Sequence, residues 1–232
     1  FRIYNGTKTA IWGENGTGKT TLLNLINGRF SDSIYIVPKA RIGYLYQGFE
    51  NLEYDKSVLE NVMKDSVQTQ TVARTILARL LIQDTDVYKK VGVLSGGERI
   101  KVSFAKLLVS NANVLLLDEP TNYLDVMSME ALENVIRDYE GTVLFVSHDS
   151  AFINSVATRM LIIENQAIKE FDGNLKEYRA SCQKTQAAVK TEIETTILKM
   201  RISEIVAKLS RPDADKESLE AEFQSLIARL KN

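Results

Sequence analysis

Eight consecutive residues constrain this chain more than any other feature: Gly13-Glu14-Asn15-Gly16-Thr17-Gly18-Lys19-Thr20, set between a β-rich apolar run at 9–12 and a helical stretch at 20–27. The spacing is that of a phosphate-binding loop, and the flanking strand and helix are the context that such a loop needs. Glycines let successive backbone N–H groups curl around an anion, and the N-terminus of the following helix adds partial positive charge. Lys19 can reach outer phosphates, and the Thr20 hydroxyl can meet a Mg²⁺ ion. Gly13, Asn15, Gly16, Thr17, Gly18, Lys19, Thr20 and Thr21 are therefore candidate nucleotide contacts, with Thr20 also a candidate metal ligand.

A strand-loop-helix of this type belongs in a parallel sheet, and the rest of the chain agrees. Short apolar runs recur at 34–37, 42–46, 114–117, 143–147 and 160–164, several of them continuous rather than alternating, as strands buried on both faces are. Helical stretches fall between them at 57–65, 71–83, 97–110 and 128–139, with Gly28 and Gly141 placed as stops. The Asn165-Gln166 step followed by 167–171 predicts a closing hairpin, and Gly173 ends the sheet region. Beyond Ser181 glycine disappears, and Val189, Ile193, Ile197, Met200, Ile202, Ile205 and Leu209 follow a helical period. Residues 211–215 break it, and Leu219, Phe223, Leu226 and Leu230 resume it, which predicts an antiparallel helical pair. The expected division is a domain at 1–180 and a helical extension at 181–232. The opening Phe1-Arg2-Ile3-Tyr4 reads as the inside of a strand-turn, so the domain is expected to be N-terminally trimmed.

Charge and cysteine content exclude several classes. Lys plus Arg number 29 against 30 Asp plus Glu, a net charge of -1, so bulk charge makes no case for nucleic-acid or membrane-surface binding. A single Cys182 rules out an internal disulfide and a cysteine-rich zinc cluster, and favours a cytoplasmic setting. No apolar run reaches the ~18 residues of a membrane span.

Chemistry-bearing residues gather at predicted strand ends. The run at 114–117 ends in Asp118-Glu119, and a buried strand rarely ends in two carboxylates unless a cation or reacting water is near. Asp118 is the candidate second Mg²⁺ ligand, and Glu119, one residue further, the candidate general base toward a terminal phosphate. His148, the only histidine, follows the run at 143–147 directly; it either contacts the terminal phosphate or serves structure. Gln47, after the run at 42–46, can reach Mg²⁺ or the water through its amide. Leu94-Ser95-Gly96-Gly97-Glu98 opens a helix with a hydroxyl and two glycines, a second helix N-terminus suited to an anion.

Taken in order, the motifs at 13–20, 47, 94–98, 114–119, 122–125 and 148 closely resemble the phosphate loop, glutamine loop, LSGG signature, Asp-Glu strand, D-loop and switch histidine of the ATP-binding cassette superfamily, over about 1–180. The resemblance implies an α/β ABC-type ATPase domain. It would have a mainly parallel phosphate-loop sheet, an antiparallel edge subdomain and an α-helical signature subdomain at about 50–110, with the helical hairpin appended. It also implies ATP and Mg²⁺ as cofactors and head-to-tail pairing with a second cassette. Ser95, Gly96, Gly97 and Glu98 would then contact nucleotide held by the partner, with Asp125 in the D-loop beside them.

Asp118-Glu119-Pro120-Thr121-Asn122-Tyr123-Leu124-Asp125 is similar to the DEPTNHLD stretch of the ABC-F branch, with Tyr123 in place of the usual His. Ser147-His148-Asp149 with Phe152, then Phe171-Asp172-Gly173-Asn174 and Tyr178, resemble the end of an ABC-F second cassette. That branch implies an ATPase efficient only when paired, acting on the ribosome, as a translation factor or in antibiotic resistance. The stretch at 94–172 looks most like Gram-positive ribosomal-protection members. The competing readings are the motor subunit of a membrane transporter and a non-hydrolysing nucleotide-binding scaffold, the latter disfavoured by the intact Glu119 and His148. The adenine-stacking aromatic is expected upstream, with neither Phe1 nor Tyr4 assigned to it.

Overall fold

The computed structural model describes residues 1–28, 34–45, 51–165, 167–209 and 216–231. Its apolar runs assemble into one six-stranded sheet: β1 (Lys8–Gly13), β2 (Ile42–Leu45), β3 (Val114–Asp118), β4 (Thr142–Val146), β5 (Arg159–Glu164) and β6 (Ala167–Asp172), in the order β2-β3-β4-β1-β5-β6. All neighbours are parallel except β5 and β6, the expected hairpin, which turns at Asn165 with φ 49°. Continuity of the apolar runs has the expected cause, since β4 is buried along its whole length and β3 along all but its first residue.

Register decides where the site forms. Leu45 pairs with Leu117, Asp118 with Val146, Ile11 with Val146 and Gly13 with Ile163. The carboxyl ends of β1, β3 and β4 therefore finish level, and the loops that leave them share one edge of the sheet, where open α/β sheets bind ligands. Beneath that edge Ile11, Leu116, Leu144 and Leu161 pack with Leu23 and Ile26 of α1 (Lys19–Gly28) into one apolar cluster. Phe145 of β4 and Phe152 of the short helix Ser150–Val156 meet edge to face, centroids 5.4 Å apart, both fully buried.

Between β2 and β3 the chain makes α2 (Val58–Met63), α3 (Gln70–Arg79) and α4 (Gly96–Val109), with 3₁₀ turns at Asp84–Tyr88 and Val91–Val93. Ser57 and Glu60 close a capping box on α2, and Thr69 caps α3 by accepting from Val72 N. Then follow α5 (Val126–Asp138), α6 (Ser150–Val156), α7 (Leu175–Leu209) and α8 (Lys216–Lys231).

Several expectations are corrected. Residues 34–37 join no strand: Ile34 and Ile36 pack on the core while Tyr35 and Val37 face solvent, and the chain then turns at Pro38 with Ala40 N donating to Val37 O. Alternation there records one-sided packing of an extended segment rather than a ladder. Helix α3 stops at Arg79, short of 83, because Leu81 takes φ 60° so that Leu80 and Ile82 can both be buried. Helix α6 falls where the sequence pattern predicts none, and α7 begins at Leu175 rather than near 181.

The chain divides into two compact units, Phe1–Lys176 and Glu177–Asn232. In the second, α7 and α8 are tied by Arg201 Nε to Glu222 Oε1 at 3.1 Å, and among the described residues Ile205 and Leu226 are its buried apolar positions. Ile197 and Met200, part of the predicted stripe, are exposed. The predicted break at 211–215 and the side chains of Val189, Ile193, Leu209 and Leu219 lie outside the described residues. No helix among the described residues is long and apolar enough to cross a membrane.

Candidate functional site

The loop after β1 has the backbone that its glycines allow. Gly16 and Gly18 take φ 81° and 93°, the left-handed region that L side chains avoid, and a Cβ at either would meet nothing within 4 Å, so both face open space. At Gly13 the reason is crowding: a Cβ there would stand 2.7 Å from Ile163 O of the neighbouring strand and 3.0 Å from Thr17 Oγ1. Thr17 braces the turn by donating its hydroxyl to Glu14 O at 2.8 Å. Lys19 is almost fully buried, and its ammonium donates to Gly13 O at 2.9 Å and Glu14 O at 2.8 Å. The cation is thus held over the loop, where an incoming phosphate would meet it. Asn15, Thr20 and Thr21 are exposed around it.

Across from α1 the two carboxylates take different positions. Asp118, 3% exposed, accepts from Thr20 Oγ1 at 3.3 Å, and burial raises its pKa above the ordinary aspartate value. Glu119 sits in the left-handed region at φ 51°, its N–H still donating to Val146 O at 3.0 Å as if the ladder continued. A glutamate in that conformation is strained, and strain of this kind concentrates where geometry is functional. Burial raises the Glu119 pKa as well, with His148 acting against it. Glu119 Oε2 accepts from His148 N at 3.3 Å, and Oε1 lies 3.3 Å from His148 Nε2, an ion pair only when the ring is protonated. Oε1 is otherwise buried without a hydrogen-bond partner among the described residues. A buried carboxylate oxygen left without a donor is ready to receive a proton.

These residues also fit a divalent cation. The described residues hold no group of three or more His, Cys, Asp or Glu able to cage a metal, so an ion here would rest on one hydroxyl and one carboxylate together with phosphate oxygens. Thr20 and Asp118 supply that pair at 3.3 Å, and small donor sets completed by phosphate and water suit Mg²⁺. Gln47, the third predicted ligand, lies outside the described residues.

A second cluster lies at the start of α4. Ser95 caps that helix in a capping box: its hydroxyl donates to Glu98 Oε2 at 2.7 Å, and Glu98 N donates back to Ser95 Oγ at 3.3 Å. The Ser95 hydroxyl, together with the Ser95 N–H that also donates to Glu98 Oε2 at 2.8 Å, holds the Glu98 carboxyl below the usual glutamate range. Asp125 caps α5, accepting from Ser128 N at 2.7 Å, which lowers its pKa. The structure therefore brings Lys19, Thr20, Asp118, Glu119 and His148 together, while Ser95 to Glu98 and Asp125 engage their own helices.

Two features escaped the sequence reading. Thr121 Oγ1 and Ser147 Oγ lie 3.2 Å apart and brace the ends of β3 and β4 against each other; a hydroxyl just past each buried strand was the available signal. Tyr4 stacks on the Arg159 guanidinium at 4.7 Å, and Arg159 pairs in register with Thr9. Thr9 stands four residues, about 13 Å of strand, before Gly13. Tyr4 therefore lies toward the end of the sheet opposite the loop.

Fold and loop together define a phosphate-loop nucleotide-binding domain, with a carboxylate and a histidine paired at the same edge of the sheet. The family model described as ABC transporter matches residues 1–122, and the chain belongs to that ATP-binding cassette family. Its sequence relatives include proteins of the F branch. The ribosome protection protein VmlR of Bacillus subtilis is 30% identical over 233 residues, spanning 100% of this chain and 42% of that protein. The ATP-binding protein Uup of Escherichia coli is 34% identical over 99% of this chain and 38% of its own length. The erythromycin resistance ATP-binding protein MsrA of Staphylococcus epidermidis is 38% identical over 73% of this chain and 34% of its own. The chain thus spans about a third to two fifths of these relatives. Among solved structures, the dimeric bacterial ABC transporter cassette MJ0796 has TM-score 0.61 at 24% identity, covering 74% of this chain and 88% of that one, a likeness of fold.

Proposed function

We propose that this chain binds Mg-ATP on its phosphate loop and hydrolyses it as the second cassette of an ABC-F protein that acts on the ribosome from the cytoplasm. The observation that carries the hydrolytic reading is the Glu119 carboxylate: buried, strained at φ 51°, and facing His148 with one oxygen lacking a donor. In this reading the loop amides and Lys19 hold the β- and γ-phosphates, and Glu119 takes a proton from the attacking water as the bond to the leaving phosphate breaks. His148 orients that carboxylate through its backbone N–H and faces the terminal phosphate with its ring. Thr20 and Asp118, with Gln47, would hold Mg²⁺, which when bound neutralises charge developing on the phosphates.

Pairing has its own support. Val93, Tyr123, Val126 and Met127, chain neighbours of the signature residues and of Asp125, are all more than 70% exposed, an apolar surface suited to burial by another cassette. Ser95, Gly96, Gly97 and Glu98 would then present the α4 N-terminus to the partner's nucleotide. Ribosome action draws support from the likeness to the ribosome protection protein VmlR, and a resistance role from the likeness to the erythromycin resistance protein MsrA. The match to both VmlR and Uup runs over essentially the whole chain, helical tail included.

Calorimetry with Lys19→Ala tests the binding half. The folded variant is expected to lose most ATP affinity because it loses the buried cation at the loop; unchanged affinity would remove the loop from the account. For the ribosomal half, Glu119→Gln in the longer protein should cosediment with ribosomes in Mg-ATP and not in ADP. Equal sedimentation in both would contradict it.

A further inference from the structure

His148 meets Glu119 from a three-residue turn, 147–149, that joins β4 to α6, and both of its neighbours are pinned. Ser147, 2% exposed, accepts from Asp149 N at 3.1 Å through its Oγ, so a side-chain ring closes around His148 and limits the rotation of its amide. The same oxygen lies 3.2 Å from Thr121 Oγ1. Asp149 in turn caps α6, its Oδ1 accepting from Ala151 N at 2.7 Å and Phe152 N at 3.1 Å, and the buried Phe152 ring seats that helix on Phe145. A buried hydroxyl is costly unless bonded, and this one has both an amide donor and a hydroxyl partner.

The backbone on either side of Ser147 holds Glu119 at two points. Val146 O, one residue before, accepts from Glu119 N at 3.0 Å, and His148 N, one residue after, donates to Glu119 Oε2 at 3.3 Å. The second bond is at the long limit for N–H···O, so a modest rotation of the His148 amide would break it. While it stands the two carboxylate oxygens differ: Oε2 carries the amide, and Oε1 is buried without a hydrogen-bond partner among the described residues. Ser147 lies between the two contacts, and its hydroxyl sets the angle between them.

We infer that Ser147 is a positioning residue for hydrolysis: its hydroxyl holds the His148 amide on Glu119 Oε2 and so reserves Oε1 for the proton of the attacking water. The inference deepens the hydrolytic reading above and rests on it for its consequence. Ser147 acts through His148 and Glu119 and, being buried, meets neither nucleotide nor a second cassette.

The link can be read without nucleotide, because the chain has one histidine and histidine-selective ¹⁵N labelling therefore gives one backbone amide signal. Glu119→Gln should move that signal in the parent and leave it in place in Ser147→Ala, where the amide is no longer held on the carboxylate. An equal response with and without the Ser147 hydroxyl overturns the inference. In the paired protein with saturating Mg-ATP, Ser147→Ala should hold ATP affinity within about twofold while single-turnover hydrolysis falls ~10-fold, because misplaced reacting groups cost rate steeply. Ser147→Cys fills the same space with a weak acceptor and should show the same split, which keeps the test available if the alanine variant does not fold. In a Glu119→Gln background the Ser147 change should cost no further rate, as expected of residues acting through one contact. Parent-like hydrolysis by a folded Ser147 variant, a loss of ATP affinity that matches the loss of rate, or a further loss in the Glu119→Gln background overturns the assignment. Failure of the unmodified pair to hydrolyse ATP, with the amide response intact, would instead refute the hydrolytic reading.

Discussion

Replacing Glu119 with glutamine should separate chemistry from binding and from folding. Glutamine is isosteric, so its carbonyl oxygen can still accept from His148 N while its amide faces His148 Nε2, and the contacts now at 3.3 Å keep their geometry. Burial raises the Glu119 pKa above the ordinary glutamate value, so this carboxyl holds its proton more firmly in the folded chain than in the unfolded one. For an acid with a raised folded-state pKa, stability is lost as pH climbs from the unfolded pKa to the folded one, and that loss persists at neutral pH. Glutamine never ionises, so the variant should melt at or above the parent at neutral pH. The rate should move the other way. A positioned general base contributes roughly 10²–10⁴-fold, or about 3–5 kcal/mol of barrier. Single-turnover hydrolysis should fall by that factor with ATP affinity retained. The parent's hydrolysis should also rise with pH through an acid limb above the usual glutamate range, a limb absent from the variant's residual rate. Hydrolysis within about threefold of the parent would refute the assignment of the base, and a lower melting temperature at neutral pH would refute the burial argument.

Two further outcomes follow from packing. Phe145→Ala removes a fully buried ring that meets Phe152 edge to face, and should destabilise the Phe1–Lys176 unit by about 3–5 kcal/mol, measured by denaturant titration; a loss under about 1 kcal/mol would mean the site collapses freely. Gly13→Ala places a methyl 2.7 Å from a strand carbonyl and should displace the loop, lowering ATP affinity by calorimetry while far-ultraviolet circular dichroism stays unchanged; parent affinity would contradict the crowding.

What was legible in the sequence was whatever burial imposes on composition. Strands such as Val114–Asp118 read as continuous apolar runs because both of their faces are covered, and the phosphate loop announced itself through glycines that its φ angles require. Helix α6 was also readable in retrospect: Asp149 accepts from Ala151 N and Phe152 N, and Phe152, Ile153 and Val156 form its buried face. Residues 34–37 misled because alternating Ile34 and Ile36 satisfy one-sided packing without a partner strand. Tyr123 and Glu119 show the limit most clearly. Their identities fitted a motif, but nothing in local propensity indicates that a tyrosine and a glutamate would both adopt φ above 50°; contacts from α4 and β4 hold them there.

The central claim is that this chain supplies two halves of two sites rather than one complete enzyme. Its most direct test is the hydrolysis rate per chain measured against chain concentration in Mg-ATP. The account predicts a per-chain rate that climbs with concentration as pairs form and is abolished by Ser95→Arg, which puts bulk and a fixed cation at the α4 N-terminus. A rate per chain that stays constant down to strictly monomeric concentrations, and survives Ser95→Arg, would contradict it.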